Sequence, residues 1–330
     1  MSKKRLYYSI IIICISIFLL KFITYAGTST LKKENKKILN VKYFDVLKAK
    51  IGSGSDKIGV TTPSEANSEG PMSFTLGKDG KIYILDQINY RIQIFKEGKW
   101  IKSIPIPKNN LLDFKDIEIT PENKIVLLSQ LYKEGKVTLM NIYIIDLDGK
   151  IINSIKTNPC TPEINIVKEG NLAGIWVCFQ RVAFLDGKKT EEIFIPQESY
   201  LGEKSILRAE ILGDITAIIY KGKQDKISQM QEATIYFDMP IVHILGTWED
   251  KEGKIYFGAF LSERNEKGKY KYANEFVVLS PELSELGRFR IHVQKEPHEI
   301  WRSIRVTPEG HIYQMFIDGK SILVRKYEIR

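Results

Sequence analysis

The sequence predicts an all-β protein: a six-bladed β-propeller closed by pairing of its N- and C-terminal strands and preceded by an N-terminal apolar helix. Three observations predict it. A turn-then-strand unit recurs six times, an outer hairpin pattern recurs beside it, and the last unit lacks a strand that an orphan segment near the N-terminus supplies. A repeat period in the forties with short strands is what four-stranded blades require.

The turn-then-strand unit reads DGKIYILD at 79–86, PENKIVLLS at 121–129, EGNLAGIWVCF at 169–179, LGDITAIIY at 212–220, EGKIYFGAF at 252–260 and PEGHIYQMF at 308–316. Taking Ile82, Ile125, Ile175, Ile218, Ile255 and Ile312 as equivalent, the mean spacing is about 46 residues. The first unit divides into four strands, SFTL (73–76), KIYILD (81–86), RIQIF (91–95) and KWIKSIPI (99–106). Outer hairpins repeat at 142–155, 182–195, 234–245 and 276–291. Asp-Gly and Glu-Gly turns between β-branched runs supply the positive φ that tight hairpins need. No 3.6-residue amphipathic pattern of helix length follows residue 50.

The sixth unit ends on a third strand, SILVRKYEIR (321–330), while NVKYFDVLKAKIG (40–52) has no partner of its own. If 40–52 is the outermost strand of that unit, the ring closes and no edge of the first or last blade is left open. Val41, Phe44, Val46 and Leu47 are its expected buried side chains.

The N-terminal region divides into an apolar signal segment (1–27) and a basic linker (28–39), leaving 40–330 for the propeller. LYYSIIIICISIFLL (6–20) follows Lys3, Lys4 and Arg5, the layout of an export signal, and residues 6–27 are long enough to span a bilayer as a helix. A membrane anchor and a signal peptide cleaved after Ala26 both fit. Either places the body outside the cytoplasmic membrane, anchored or secreted. The net charge is +9, but residues 1–37 hold eight Lys/Arg against Glu34 alone, so the remainder carries only +2. A near-neutral body argues against nucleic acid as a partner. Cys160 and Cys178, 18 residues apart, are either a disulfide or buried free thiols.

The stretch EGPMSFTLGKDGKIYILDQINYRIQIF (69–95) resembles an NHL-repeat blade. The resemblance is carried by Gly70-Pro71, the Asp79-Gly80 turn, Asp86 and Asn89-Tyr90-Arg91-Ile92, where Tyr90 replaces the family's usual His. It implies the six-bladed fold and leaves function open, since the family includes protein-binding, RNA-binding and lyase members.

In a propeller, loops joining second to third strands share a face with the loops between blades. By this topology the second-to-third loops are 86–90, 130–137, 180–181, 221–232 and 262–274, and long polar loops on a rigid scaffold are where binding residues concentrate. Asn89, Tyr90, Arg91, Arg181, Arg264, Tyr270 and Tyr272 are their binding candidates, and the inter-blade loops add Trp248, His298, Trp301 and Arg302. The two tryptophans either hold a ligand or pack between blades. Lyases resembling this fold use His clusters, but of four histidines only His298 falls on the functional face, with His243 and His292 on outer strands and His311 on the opposite turn. Gluconolactonase-like propellers use acids and Asn on calcium, for which Asp116, Glu118, Asn165, Glu210 and Glu249 are the candidates. The main expectation is a non-catalytic module, without cofactor, that binds a protein, peptide or glycan. The alternative is a hydrolase or lyase with a divalent cation, calcium for example, in the central channel.

Overall fold

The computed structural model describes residues 36–62, 67–108, 112–160, 163–195, 199–224, 226–294 and 298–330. The apolar run at 6–27 lies outside them, and among the described residues no helix is long and apolar enough to cross a membrane. The described strands form six antiparallel four-stranded sheets.

Blade one is Ser73–Leu76, Ile82–Asp86, Arg91–Lys96 and Lys99–Pro105, and blade two is Leu112–Ile119, Ile125–Lys133, Lys136–Ile145 and Ile151–Thr157. Blade three has shorter strands, Ile164–Val167, Gly174–Val177, Gln180–Ala183 and Lys189–Phe194. Blade five is Ile241–Glu249, Ile255–Arg264, Tyr270–Leu279 and Glu285–Ile291. Gly80, at φ +77°, makes the first hairpin turn, a conformation in which a Cβ would be strained.

Blade four departs from the sequence reading. Its strands are Ser199–Leu201, Ser205–Gly213, Thr216–Lys223 and Lys226–Tyr236. LGDIT therefore joins its second and third strands, and Ile218 lies on the third, one strand later than its supposed equivalents. The expected outer hairpin at 234–245 is instead the passage from blade four into blade five, so His243 sits on the first strand of blade five and not on an outer strand.

Blade six consists of Ile304–Val306, Ile312–Asp318, Ser321–Ile329 and, as its outermost strand, Val41–Lys50. The closing register runs from Val41 opposite Ile329 to Lys50 opposite Ser321, with a bulge between Asp45 and Leu47. An extra residue at a bulge changes which side chains face inward. Leu47 and Ala49 are buried, whereas Phe44 is 39% exposed beneath the Lys42 ammonium, contrary to its expected burial. A second closure lies inside the ring, where Ser68–Glu69 runs parallel to His298–Glu299 and the Arg302 amide donates to the Met72 carbonyl at 2.9 Å.

Six buried apolar clusters fill the six interfaces between neighbouring blades. Leu85, Ile92, Phe114 and Leu127 join blades one and two, and Leu47, Phe74, Met315 and Val324 join blades six and one. A cluster at every interface leaves no gap in the ring. Cys160 and Cys178 are bonded as a disulfide with Cα atoms 5.9 Å apart, which resolves the alternative of free thiols.

Candidate functional site

The first strands of the blades surround the axis, where β pleating turns alternate side chains into a shared channel. Asp116 of blade two is fully buried there and accepts five hydrogen bonds. Its Oδ1 takes them from Ser73 Oγ at 2.6 Å, the Ile117 amide at 2.9 Å and Arg305 Nη2 at 3.0 Å. Its Oδ2 takes them from the Ile164 amide and Arg302 Nη1, each at 2.8 Å. Blades one, two, three and six thus meet on one carboxylate.

Glu118, two residues on and so on the same face, accepts from Thr75 Oγ1 at 2.7 Å and pairs with Arg305 Nη1 at 3.1 Å. Arg302 also pairs with Glu163 at 3.2 Å. Burial raises the Asp116 carboxyl, but Arg302, Arg305, the Ile164 amide and Ser73 outweigh it and hold the group below the usual carboxylate range. Burial likewise disfavours the charged Arg302, yet Asp116, Glu163 and Glu118 together raise its pKa above the ordinary value. Asp116 and Arg302 are therefore held in their charged forms as an ion pair.

Beside it the channel narrows to a cavity of about 190 Å³, lined by residues that include Thr75, Glu118, Asn165, Trp248, Glu249 and Arg305. Ligand pockets usually measure ~300–1,000 Å³. Of the residues expected to hold calcium, Asp116 and Glu118 have their lone pairs committed to arginines and hydroxyls. Glu249 accepts from the Lys204 and Ser205 amides and from Ser205 Oγ at 2.8–2.9 Å. Glu210 lies on the second strand of blade four and pairs with Arg208 at 2.5 Å. Among the described residues no group of three or more His, Cys, Asp or Glu side chains is arranged to hold a metal ion. Of the five, Glu118, Asn165 and Glu249 line the same cavity, Asp116 is held by its own contacts and Glu210 stands apart on blade four.

Most binding candidates from the sequence make structural contacts. Asn89 Nδ2 donates to both Asp86 oxygens and to the Gly52 carbonyl. Arg91 bonds Asp86 and, through Nη2, the carbonyls of Gly54 and Lys57, each at 2.8 Å. Together they clamp the segment that follows the closing strand. A Cβ on Gly59 there would lie 2.7 Å from Asn89 Nδ2. Tyr90, left-handed at φ 53°, carries Lys108 over its ring. Arg181 donates to the Asn171 and Ala173 carbonyls, each at 3.2 Å. Trp248 stacks on Phe276 at 5.8 Å, the packing alternative. His298 stands in the short parallel pair opposite Ser68, Trp301 is 46% exposed, and Arg302 belongs to the channel network.

Three candidates do converge. Arg264, Tyr270 and Tyr272 lie on one face of the second and third strands of blade five, where Arg264 is opposite Tyr270 and Ser262 is opposite Tyr272. The expected loops at 130–137, 221–232 and 262–274 are mostly extended strand. The stretch at 221–232 joins the third and fourth strands of blade four and so falls on the opposite face from the one expected. Tyr270 stacks on Tyr272 and Tyr272 on Phe260, at 5.9 and 5.8 Å with interplanar angles of 9°. Arg264 lies over Tyr270, and His243 meets Phe260 at 5.1 Å at the other end of the row. Burial pushes the His243 pKa below its ordinary value. Tyr270 and Tyr272 are 58% and 50% exposed.

The row shares its faces of these two strands with Tyr256, Phe276 and Val278, which pack toward blade six, while Phe257, Ala259, Leu261 and Ala273 on the opposite faces pack against blade four. At the passage from blade four to blade five, the Phe237 and Ile241 amides bond the Ile215 and Asp214 carbonyls. The sequence reading missed His243 because it placed 241–245 on an outer strand, and Phe260 because it sought binding residues in loops rather than on the second strand. The alternation Phe260, Ser262, Arg264 was the signal that could have found the row.

No family model matches the chain, and no curated protein matches it, so the NHL-repeat resemblance gains no support from either. Among solved structures it is similar to virginiamycin B lyase from Staphylococcus aureus, at 12% identity and a TM-score of 0.44, covering 88% of this chain and 100% of that one. It is also similar to the soluble aldose sugar dehydrogenase from Escherichia coli, at 13% identity, a TM-score of 0.49 and the same coverage. The PQQ-bound aldose sugar dehydrogenase from Streptomyces coelicolor follows at 11% identity and a TM-score of 0.46, covering 88% and 100%. The named neighbours are enzymes, and likeness at this level carries no residue roles across.

Proposed function

We propose that this propeller is a binding module that docks a protein segment on the aromatic face of blade five. The observation that supports the reading is the exposed row of Arg264, Tyr270 and Tyr272 on the second and third strands of blade five. Exposed apolar patches of this kind mark interaction surfaces, and Tyr and Arg are common anchor residues. The hairpin from Glu263 to Lys271 carries Arg264, Lys267, Lys269 and Lys271 against Glu263 and Glu266. Its net positive charge fits a partner segment with apolar side chains flanked by acids.

Selection from a random peptide display library against the full chain tests this. Binders should share aromatic or aliphatic residues beside Asp or Glu, and their affinity should fall roughly ten- to a hundredfold in Tyr270→Ala/Tyr272→Ala. Binders indifferent to that double substitution, or none, would overturn the reading.

The solved structures named above are enzymes, so the expectation of a catalytic propeller stands beside this one and makes a different prediction. It requires a group bound at the channel. Thermal unfolding with calcium, zinc, a chelator and PQQ should then show a saturable stabilisation lost on Arg302→Lys, whereas the docking reading expects none.

A further inference from the structure

On the face opposite the aromatic row, a cleft of about 1100 Å³ opens across blades three, four and five. Its walls come from turns. Asn171 stands in the first hairpin turn of blade three, Lys204 in that of blade four and Glu252 in that of blade five. The hairpin between the third and fourth strands of blade four adds Lys223, Gln224, Gln229 and Gln231. The cleft opens where apolar packing is thin. Among the described residues the cluster joining blades three and four has five buried members, against fifteen between blades four and five.

We propose that this cleft binds an acidic oligosaccharide. Its two carboxylates are already neutralised: Glu249 holds the Ser205 hydroxyl at 2.8 Å and Lys221 at 3.3 Å, and Glu252 pairs with Lys254 at 2.6 Å. Lys204 and Lys223 are exposed and present ammonium groups at the walls, so the cleft favours an anion. Four amide side chains, Asn171, Gln224, Gln229 and Gln231, each offer a donor pair beside an acceptor, the arrangement that pairs with neighbouring hydroxyls. Among the described residues no aromatic side chain lines the cleft. A neutral sugar would lack a stacking surface, and recognition falls to charge and hydrogen bonds. The volume suits a chain of several sugar rings.

The aromatic row lies on the other face, so either site can fail without the other. Calorimetric titration of the full chain tests the cleft with trimers of galacturonate, glucuronate and mannuronate. Maltotriose is the neutral control and pentaglutamate the acidic peptide control. At least one uronate trimer should bind and maltotriose should not. Lys204→Ala and Lys223→Ala should each weaken that trimer about tenfold, in line with loss of a charge-assisted hydrogen bond. Gln229→Ala/Gln231→Ala should weaken it further without affecting thermal unfolding. Failure of all three trimers, equal affinity in the lysine variants, or maltotriose or pentaglutamate binding as tightly as the uronates would overturn the proposal.

Discussion

Asp116 shows how much of this molecule rests on single side chains. Its carboxylate accepts from Ser73, Ile117, Ile164, Arg302 and Arg305. Removing one partner of a buried ion pair strands the other charge and costs ~3–5 kcal/mol. Asp116→Asn should therefore lower stability in urea unfolding at pH 7 by about that amount. The folded carboxyl titrates below its unfolded value of ~3.9, so its contribution is complete above that pH and is lost as pH falls through the folded value. The wild type should lose stability below about pH 4, and the variant should lack that component. An unchanged pH profile would place the stabilisation elsewhere. This network was not legible in the sequence, because Asp116 and Arg302 are 186 residues apart and no local pattern links them.

The cysteines show a different limit at the same scale. Their spacing allowed a bond, but only the adjacency of blades two and three in space brings Cys160 to Cys178. Denatured full chain should show one reactive thiol before reduction and three after. Cys160→Ser/Cys178→Ser should cost ~2–4 kcal/mol. Three thiols without reductant would contradict the bond.

At the scale of elements, turn chemistry was readable and strand order only partly so. Gly-containing turns look alike whether they join first to second or second to third strands, which is why LGDIT was assigned one strand early. Polar alternation in 221–232 and 262–274 resembled loop composition. In antiparallel hairpins that stand out from the core, alternation is what a strand needs when one face meets solvent.

The closing strand was legible because a missing fourth strand and an orphan strand are both local facts. Deleting residues 1–52 removes Val41–Lys50 and its ladder with Ser321–Ile329, whose bonds are each worth ~0.5–1.5 kcal/mol. Each fully buried side chain lost with it, such as Leu47, adds ~1.5–3 kcal/mol. Against a total stability of ~5–15 kcal/mol, that chain should unfold or aggregate. Deleting residues 1–35 leaves every described strand intact and should preserve the melting temperature. Equal melting temperatures for the two truncations would contradict the closure.

Among the described residues, six apolar clusters join neighbouring blades and the Asp116 network ties four of them together at the axis. The channel carboxylates and arginines join four blades through their contacts, while Arg264, Tyr270 and Tyr272 stand exposed on blade five. The sequence named those three among eleven candidates. It could not separate them from Asn89, Arg91 or Arg302, whose partners are backbone carbonyls and buried acids of distant segments.

Hydrogen–deuterium exchange of the full chain with and without a display-selected peptide tests this division most directly. Protection is predicted on Ile255–Arg264 and Tyr270–Leu279, with Leu112–Ile119 and Ile304–Val306 unchanged. Protection centred on those channel strands, with the blade-five hairpin unaffected, would contradict it.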